Sequence, residues 1–333
     1  MKETIALVTG GFTGESVVSF KSADFVESQI DPDKYDVFKI VILKEGWYYV
    51  DGSLVNHPID RNDFSLKIGD RTIRFDAAFI MVHGSPGEDG KLQGYFDMLD
   101  IPYTGCDALT SALTMNKGYS KAIVNGIPDL NIARSIQLFE NSEANLGLLL
   151  NELKLPLFIK PNNGGSSIGM SKVKSVGELP EALEKAFRED SQVLVEEFIR
   201  GREFSIGVYE GKKGITVLPA TEVIPSDDFF DFEAKYTPGA TEEITPGRMT
   251  DEEKNRVEQI VIEIYRKLNC GGMVRIDYFL QDETSNFYFV EINTIPGQTA
   301  QSFIPQQVRA AGMNIRNFYG GLIEKALEAK NKV

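Results

Sequence analysis

The chain has 333 residues, 42% hydrophobic and 25% charged, the balance of an ordinary globular protein of two or three domains. A formal net charge of −14 speaks against a nucleic-acid surface and against binding to an anionic membrane, yet leaves room for an anionic substrate held by a local cluster of lysines and arginines. With 2 cysteines and 2 histidines, neither a disulfide framework nor a Cys- or His-rich metal site is expected, and Cys106 and Cys270 read as packing residues.

The opening stretch, Met1 to Gly10, carries a short apolar run broken by glycine instead of a signal-peptide core, and no segment approaches a membrane span, so a cytoplasmic location is expected. Thr4 to Thr9 reads as a buried parallel strand, followed by Gly10-Gly11 and a helix from about Glu15 to Gln29. Apolar runs at Val37 to Leu43 and Ala77 to His83 continue a doubly wound α/β pattern, which places Gly10, Gly11, Glu15 and His83 on one rim beyond the strands' carboxyl ends. The glycine pair lacks the dinucleotide-fingerprint spacing, and Glu15 alone is equally an ordinary first-turn acid. His83 opens a glycine-rich loop, His83-Gly84-Ser85-Pro86-Gly87-Glu88-Asp89-Gly90, at the functional end of the sheet.

The first domain is expected to end near Met115, before a helix over Asn116 to Asn125. A helix over about Ser142 to Leu153 leads to a strand, Leu155 to Lys160, then a glycine- and serine-rich loop and a return strand, Met170 to Lys174. Amides and hydroxyls on such a tip suit phosphate oxygens, with Lys160 at its base. A plain surface hairpin is the competing reading, since no Walker A lysine ends the loop. The strand Gln192 to Glu196 runs into a hinge whose backbone suits an adenine edge and whose Glu203 suits a ribose hydroxyl, or which is simply a solvated acidic edge. The segment Ile224 to Pro246 is long and rich in aromatics, and Thr250 with Glu253 forms a capping box for a helix to about Leu268.

Two apolar strands follow, Met273 to Gln281 and Phe287 to Asn293. If their turn is symmetric about Thr284, Asp277 faces Glu291 and Arg275 faces Asn293, all on one face of the sheet. Facing carboxylates repel. Either a divalent cation sits between them, with oxygen ligands suited to Mg2+ or Mn2+, or a register shift sends one acid to solvent.

Together these stretches resemble the D-alanine:D-alanine ligases of the ATP-grasp superfamily, from Gly10 to about Phe303. The resemblance is carried by Gly10-Gly11 with Glu15 and Val18-Ser19, His83-Gly84 with Gly87-Glu88-Asp89-Gly90, Lys160-Pro161 with Gly165-Ser166-Ser167-Ile168-Gly169, Glu233-Ala234-Lys235-Tyr236, Arg275-Ile276-Asp277, and Glu291-Ile292-Asn293-Thr294 with Pro296-Gly297. Each is weak alone, and their joint order is specific.

The resemblance implies a mixed α/β and α+β chain, an ATP-grasp fold preceded by a doubly wound N-terminal α/β domain, with domains at 1–115, 116–197 and 198–333 and ATP between the last two. It implies two Mg2+ (or Mn2+) ions on Asp277, Glu291 and Asn293, phosphate contacts from Lys117, Lys160 and Lys235, and a covering loop that carries Ser167. Glu196, Glu197, Ile199 and Glu203 fall at the adenosine hinge. Arg275 and the Gly297 N–H match the oxyanion donors, Glu15 and His83 the first D-alanine site, and Ser302 with Phe303 the site for the second carboxylate. Glu15, Ser166 and Tyr236 match a triad that closes the long loop.

The implied reaction is ligation of two D-alanines through an acylphosphate, for peptidoglycan synthesis. Nucleic acid and membrane are not expected as partners, and a homodimer is. A D-alanine:D-lactate ligase is the near alternative, against which Tyr236 speaks; a non-catalytic ATP-binding scaffold is a further one, against which the intact acids and Arg275 speak. The chain departs from the family pattern at Ser16, Asn162-Asn163 and Glu197.

Overall fold

The computed structural model describes residues 2–165, 168–211, 214–225 and 241–330. Its first sheet comprises β1 (Glu3–Gly10), β2 (Tyr35–Ile42), β3 (Trp47–Val50), β4 (Asn56–Asp60), β5 (Ser65–Ile68), β6 (Arg71–Ile73) and β7 (Ala77–Met81), in the order β6-β5-β4-β3-β2-β1-β7. β1 pairs in parallel with both β2 and β7, and its unbroken apolar run is what burial on both faces requires: Ile5, Ala6, Leu7 and Val8 are fully inaccessible. The helix α1 (Ser16–Gln29) makes the crossover to β2.

Between β2 and β7, where helical or loop stretches are expected, four short strands, β3 to β6, extend the sheet by antiparallel pairing. The reason is legible in hindsight, since Glu45-Gly46, Asp51-Gly52 and Gly69-Asp70 punctuate short runs and connect them by tight turns too brief for a crossover helix.

The helices α2 (Lys91–Met98), α3 (Ala108–Met115) and α4 (Lys117–Val124) lead away from this sheet. The start of α4 is fixed by its own residues. The Asn116 side chain caps it by accepting from Tyr119 N at 3.0 Å, and Asn162 accepts from Gly118 N at 2.9 Å. A Cβ at Gly118 would stand 2.3 Å from Gln137 Oε1, so any larger residue there requires the Gln137 side chain to move. One of the unusual asparagines before the loop is thus a buried strut between α4 and the second sheet.

That sheet, in the order β11-β10-β12-β9, comprises β9 (Ser135–Leu138), β10 (Leu157–Pro161), β11 (Ser171–Val173) and β12 (Val193–Glu197), with α5 (Glu143–Glu152) and α6 (Leu179–Glu189) closing a small core around Leu149, Leu157, Ile159 and Leu183. β10 and β11 form the expected hairpin.

The third sheet runs β16-β15-β13-β17-β18-β8, from β8 (Leu130–Ile132), β13 (Gly201–Gly211), β15 (Thr221–Pro225), β16 (Thr241–Ile244), β17 (Met273–Gln281) and β18 (Phe287–Asn293), with β14 (Gly214–Val217) paired to β13. α7 (Asp251–Lys267) opens on the predicted capping box, Glu253 N donating to Thr250 Oγ1 at 3.2 Å and Thr250 N to Glu253 Oε2 at 2.9 Å. After β18 come α8 (Phe303–Ala310) and α9 (Ile315–Lys330), and α9 returns to the first sheet, where Tyr319 packs edge-on against Phe79. The buried Gln307 ties α8 to the third sheet, accepting from Gly207 N at 2.8 Å and donating to Ser205 O and Thr221 Oγ1.

The hairpin of β17 and β18 pairs Arg275 with Asn293 and Asp277 with Glu291, the partners expected. Its turn is nevertheless not symmetric about Thr284. Nearer the turn Tyr278 pairs with Phe289, and a bulge at Val290 takes up one residue. Phe287 and Phe289 are buried beneath β17, with Phe287 stacked on Tyr278 at 4.5 Å between ring centroids. Strict alternation from Phe287 would carry Glu291 into that core; the bulge shifts the alternation by one residue, buries Ile292 in its place and leaves Glu291 facing the cleft.

Candidate active site

Two cavities, about 1040 and 1730 Å³ including their open mouths, share a wall made by Gly165, Glu203, Asp277 and Glu291. The first lies between the second and third sheets, with lysines from α4 and β10 and with Phe279, Tyr288 and Phe289 on its apolar side. The second lies between the rim of the first sheet and the third, lined by Glu15, His83, Glu88, Arg275, Asn293, Gly297, Ser302 and Phe303. The rim residues and the hairpin residues, far apart in sequence, meet here.

In the first cavity Lys121 and Lys160 each take one oxygen of Glu196, and all three side chains are buried. Burial pushes the Glu196 carboxyl up, but the fields of Lys121 and Lys160 outweigh it and hold it at about 2. Burial lowers Lys121, partly reversed by Glu196. One helical turn earlier, Lys117 stands 3.4 Å from Glu291 and donates to Gly164 O at the base of the glycine-rich loop. Glu197 accepts from Lys154 N at 2.9 Å while its own N–H donates to Arg134 O, so this carboxylate secures the neighbouring chain. Ile199 and Glu203 line the same cavity.

At the shared wall Arg275 grips Asp277 in a two-point pair, Nε to Oδ1 at 2.9 Å and Nη2 to Oδ2 at 2.7 Å, and Ser205 Oγ donates to Oδ1. Burial would lower the guanidinium, but the field of Asp277 more than reverses it, so Arg275 stays charged. The amide orientation that satisfies its neighbours has Asn293 accepting from Arg275 Nη2 at 2.8 Å and donating to Glu88 Oε1 at 2.7 Å. Each of the two facing acids has a basic side chain beside it, Arg275 on Asp277 and Lys117 near Glu291.

In the second cavity Glu88 also accepts from Gly84 N at 2.7 Å. Burial, with the field of Glu15 next, pushes its carboxyl up to about 8. His83 bonds Ser22 Oγ through Nε2 at 3.1 Å, and burial lowers it to about 4, so the ring is neutral at neutral pH. The Glu15 carboxylate reaches the tip of the glycine-rich loop, where a Cβ on Gly165 would lie 2.7 Å from its oxygen. Ser302 precedes α8 and holds Thr299 N at 2.9 Å, Gly297 adjoins Ser302, and the Arg275 guanidinium lies over the Phe303 ring at 5.7 Å.

Of the residues expected at the site, Ser166, Ser167, Lys235 and Tyr236 lie outside the described residues. The other expected residues all line these two cavities. Three neighbours went unremarked as site residues. Lys121 follows Lys117 by four residues on a predicted helix and so shares its face, a signal available in the sequence. Glu88 lies inside the glycine-rich loop that opens at His83. Ser205 faces Asp277 only through pairing across β13 and β17, which no local pattern announces.

Comparison with known proteins gives the family of the chain. Residues 4–106 match the model of the D-ala D-ala ligase N-terminus and residues 126–324 that of the D-ala D-ala ligase C-terminus. The D-alanine–D-alanine ligase of Parabacteroides distasonis is 44% identical over 98% of both chains. Among solved structures, the VanG D-Ala:D-Ser ligase of Enterococcus faecalis superposes with a TM-score of 0.88 at 33% identity, over 98% of this chain and 100% of its own. A D-alanine–D-alanine ligase of Bacillus anthracis complexed with ATP gives 0.78 at 28% identity, over 99% of each chain. Matched by both family models and along its whole length by these relatives, the chain belongs to the D-alanine–D-alanine ligase family, with its ATP-grasp fold.

Proposed function

We propose that the chain joins two molecules of D-alanine at the expense of ATP, giving D-alanyl-D-alanine for peptidoglycan, ADP and phosphate. One observation carries this: a lysine-lined cavity and a cavity holding Arg275, Glu88 and His83 open onto the same pair of acids, Asp277 and Glu291. A nucleotide in the first and an amino acid in the second would meet at that wall.

ATP fits the first cavity with its base between the Glu196 hinge and Phe279 and its phosphates toward Lys117 and the glycine-rich loop. Two carboxylates and a carboxamide, Asp277, Glu291 and Asn293, fit Mg2+, which takes one or two protein carboxylates and completes its octahedron with phosphate oxygens and water. Among the described residues no group of three or more His, Cys, Asp or Glu forms a dedicated metal cage, in keeping with that mode. When bound, Mg2+ would neutralise charge on the transferring phosphoryl group.

The chain's own residues then divide the work. Glu15 holds the ammonium of the first D-alanine, with neutral His83 beside it. One carboxylate oxygen of that D-alanine attacks the γ-phosphorus, the bond to the β,γ-bridging oxygen breaks, and ADP leaves. The amino group of the second D-alanine, having lost one proton to solvent, attacks the acyl carbon, and its second proton leaves with the departing phosphate. Arg275 and the Gly297 N–H stabilise the oxyanion, and the C–O bond breaks to release phosphate. Ser302 and the first turn of α8 hold the second carboxylate. We expect the reaction to run in the cytoplasm, where ATP is supplied, and the chain to act as a homodimer.

The test is ADP release from the purified chain against a panel of D-alanine, D-serine, D-lactate and L-alanine. D-Alanine alone should stimulate turnover and yield the dipeptide. D-Serine belongs in the panel because one structural relative is a D-Ala:D-Ser ligase. No stimulation by D-alanine would remove the proposal.

A further inference from the structure

The face of α4 carries two lysines one turn apart, and each serves a different end of the first cavity. Lys117 meets Glu291 at the shared wall, while Lys121 meets Glu196 at the far end. Charge balance does not explain Lys121, since Lys160 alone would neutralise Glu196, and the trio carries a net positive charge. Anchoring the start of α4 falls to Asn116 and Asn162, and Lys121 adds to it only a long bond, 3.5 Å, to Phe289 O on β18. What a second lysine adds is orientation. With one ammonium on each oxygen, the Glu196 carboxylate is held at two points, and the residue still lines the cavity.

We propose that Lys121 is a positioning residue for base selectivity: by pinning Glu196 as a carboxylate at the hinge, it makes this wall an acceptor-only surface, which takes a purine with an exocyclic 6-amino group and rejects a 6-oxo purine. An ionised carboxylate has nothing to donate to a carbonyl oxygen. A 6-oxo base would therefore bury its oxygen against a carboxylate, the kind of unpaired polar contact that produces strong discrimination. This inference rests on the first cavity being the nucleotide site and adds a selectivity device to it.

The experiment compares equilibrium binding of ADP and IDP, which are not turned over, to the full chain in the presence of Mg2+, with a thermal melt of each variant. The wild-type chain should bind ADP more tightly than IDP by about tenfold or more. Lys121→Met should shrink that ratio by about tenfold, because Glu196 is freed to rotate and to take up a proton, and under turnover the loss should fall on KM for ATP rather than on KM for D-alanine. Lys121→Arg, which keeps the charge, should retain most of the ratio. If Lys121→Met does not fold, Glu196→Gln reads the same group and should lose the discrimination, since its amide can donate to the 6-oxo group.

Equal binding of ADP and IDP by the wild-type chain would overturn the proposal, as would a folded Lys121→Met or Glu196→Gln chain that keeps the wild-type ratio. A chain that shows no D-alanine-dependent turnover yet shifts its ADP to IDP ratio as described would remove the ligase assignment and leave this inference standing.

Discussion

Replacing Arg275 by Met should lower kcat for dipeptide formation by about a hundredfold to a thousandfold, the usual loss when one oxyanion donor is removed. The expectation comes from where the guanidinium sits. It is held by Asp277 at 2.7 and 2.9 Å and by Asn293 at 2.8 Å, with Gly297 on the rim of the same cavity. A donor fixed in this way need not reorganise as negative charge develops on the acyl oxygen. Because that charge appears in the second step, ADP release should fall less than dipeptide yield, as acylphosphate formed from the first D-alanine is lost to water. Arg275→Lys should recover only part of the loss, since an ammonium keeps the charge but cannot hold Asp277 at two points while facing the substrate. Unchanged dipeptide yield per ADP in Arg275→Met would place the residue outside the second step.

Glu291→Gln should be as damaging, and with a different signature. Loss of one of two carboxylates from a divalent-cation site should shift the Mg2+ dependence of turnover to higher concentrations and lower kcat by about a hundredfold or more, corresponding to several kcal/mol of lost charge stabilisation. The melting temperature in the absence of metal should move little or rise. Glu291 sits directly across from Asp277, and facing like charges on a sheet destabilise it, so removing one relieves repulsion, while Lys117 gives up its ion pair but keeps its bond to Gly164 O. A structural acid would behave in the opposite way, with a lower melting temperature and an unaltered Mg2+ titration. Turnover unchanged by Glu291→Gln would remove the metal assignment.

The sequence was most legible where a local pattern answers to a local cause. Strands of uniform apolar character, the Thr250 and Glu253 cap, and the β10 and β11 hairpin follow from periodicity and capping chemistry that a few residues express by themselves. The antiparallel extension of the first sheet was written in its turn residues, and a doubly wound expectation passed over them. The site was legible as motifs and, within the β17 and β18 hairpin, as the facing pairs Arg275 with Asn293 and Asp277 with Glu291, but not in its contacts between sheets.

That Asp277 faces Glu291 depends on the bulge at Val290, a consequence of burying Phe287 and Phe289 beneath β17 and invisible to counting from the turn. That Arg275 spans Asp277 and Asn293 while Asn293 bonds Glu88 joins residues more than two hundred apart in the chain, through contacts only the assembled sheets create. Lys121 shows the intermediate case. Its helical spacing from Lys117 was in view, yet its partner Glu196 lay on a strand whose place beside α4 the sequence did not state.

The most direct test of the central claim, that one cleft couples phosphoryl transfer to amide formation, follows a single oxygen atom. D-Alanine labelled with 18O in both carboxylate positions is incubated with the purified chain, ATP and Mg2+, and the inorganic phosphate is analysed by mass spectrometry. If a carboxylate oxygen attacks the γ-phosphorus and leaves with it when the amide forms, each phosphate released carries one 18O atom, and dipeptide forms in equal amount to ADP. Phosphate without label, with ADP still accumulating, would mean that water takes the phosphoryl group and that no acylphosphate links the two halves of the cleft.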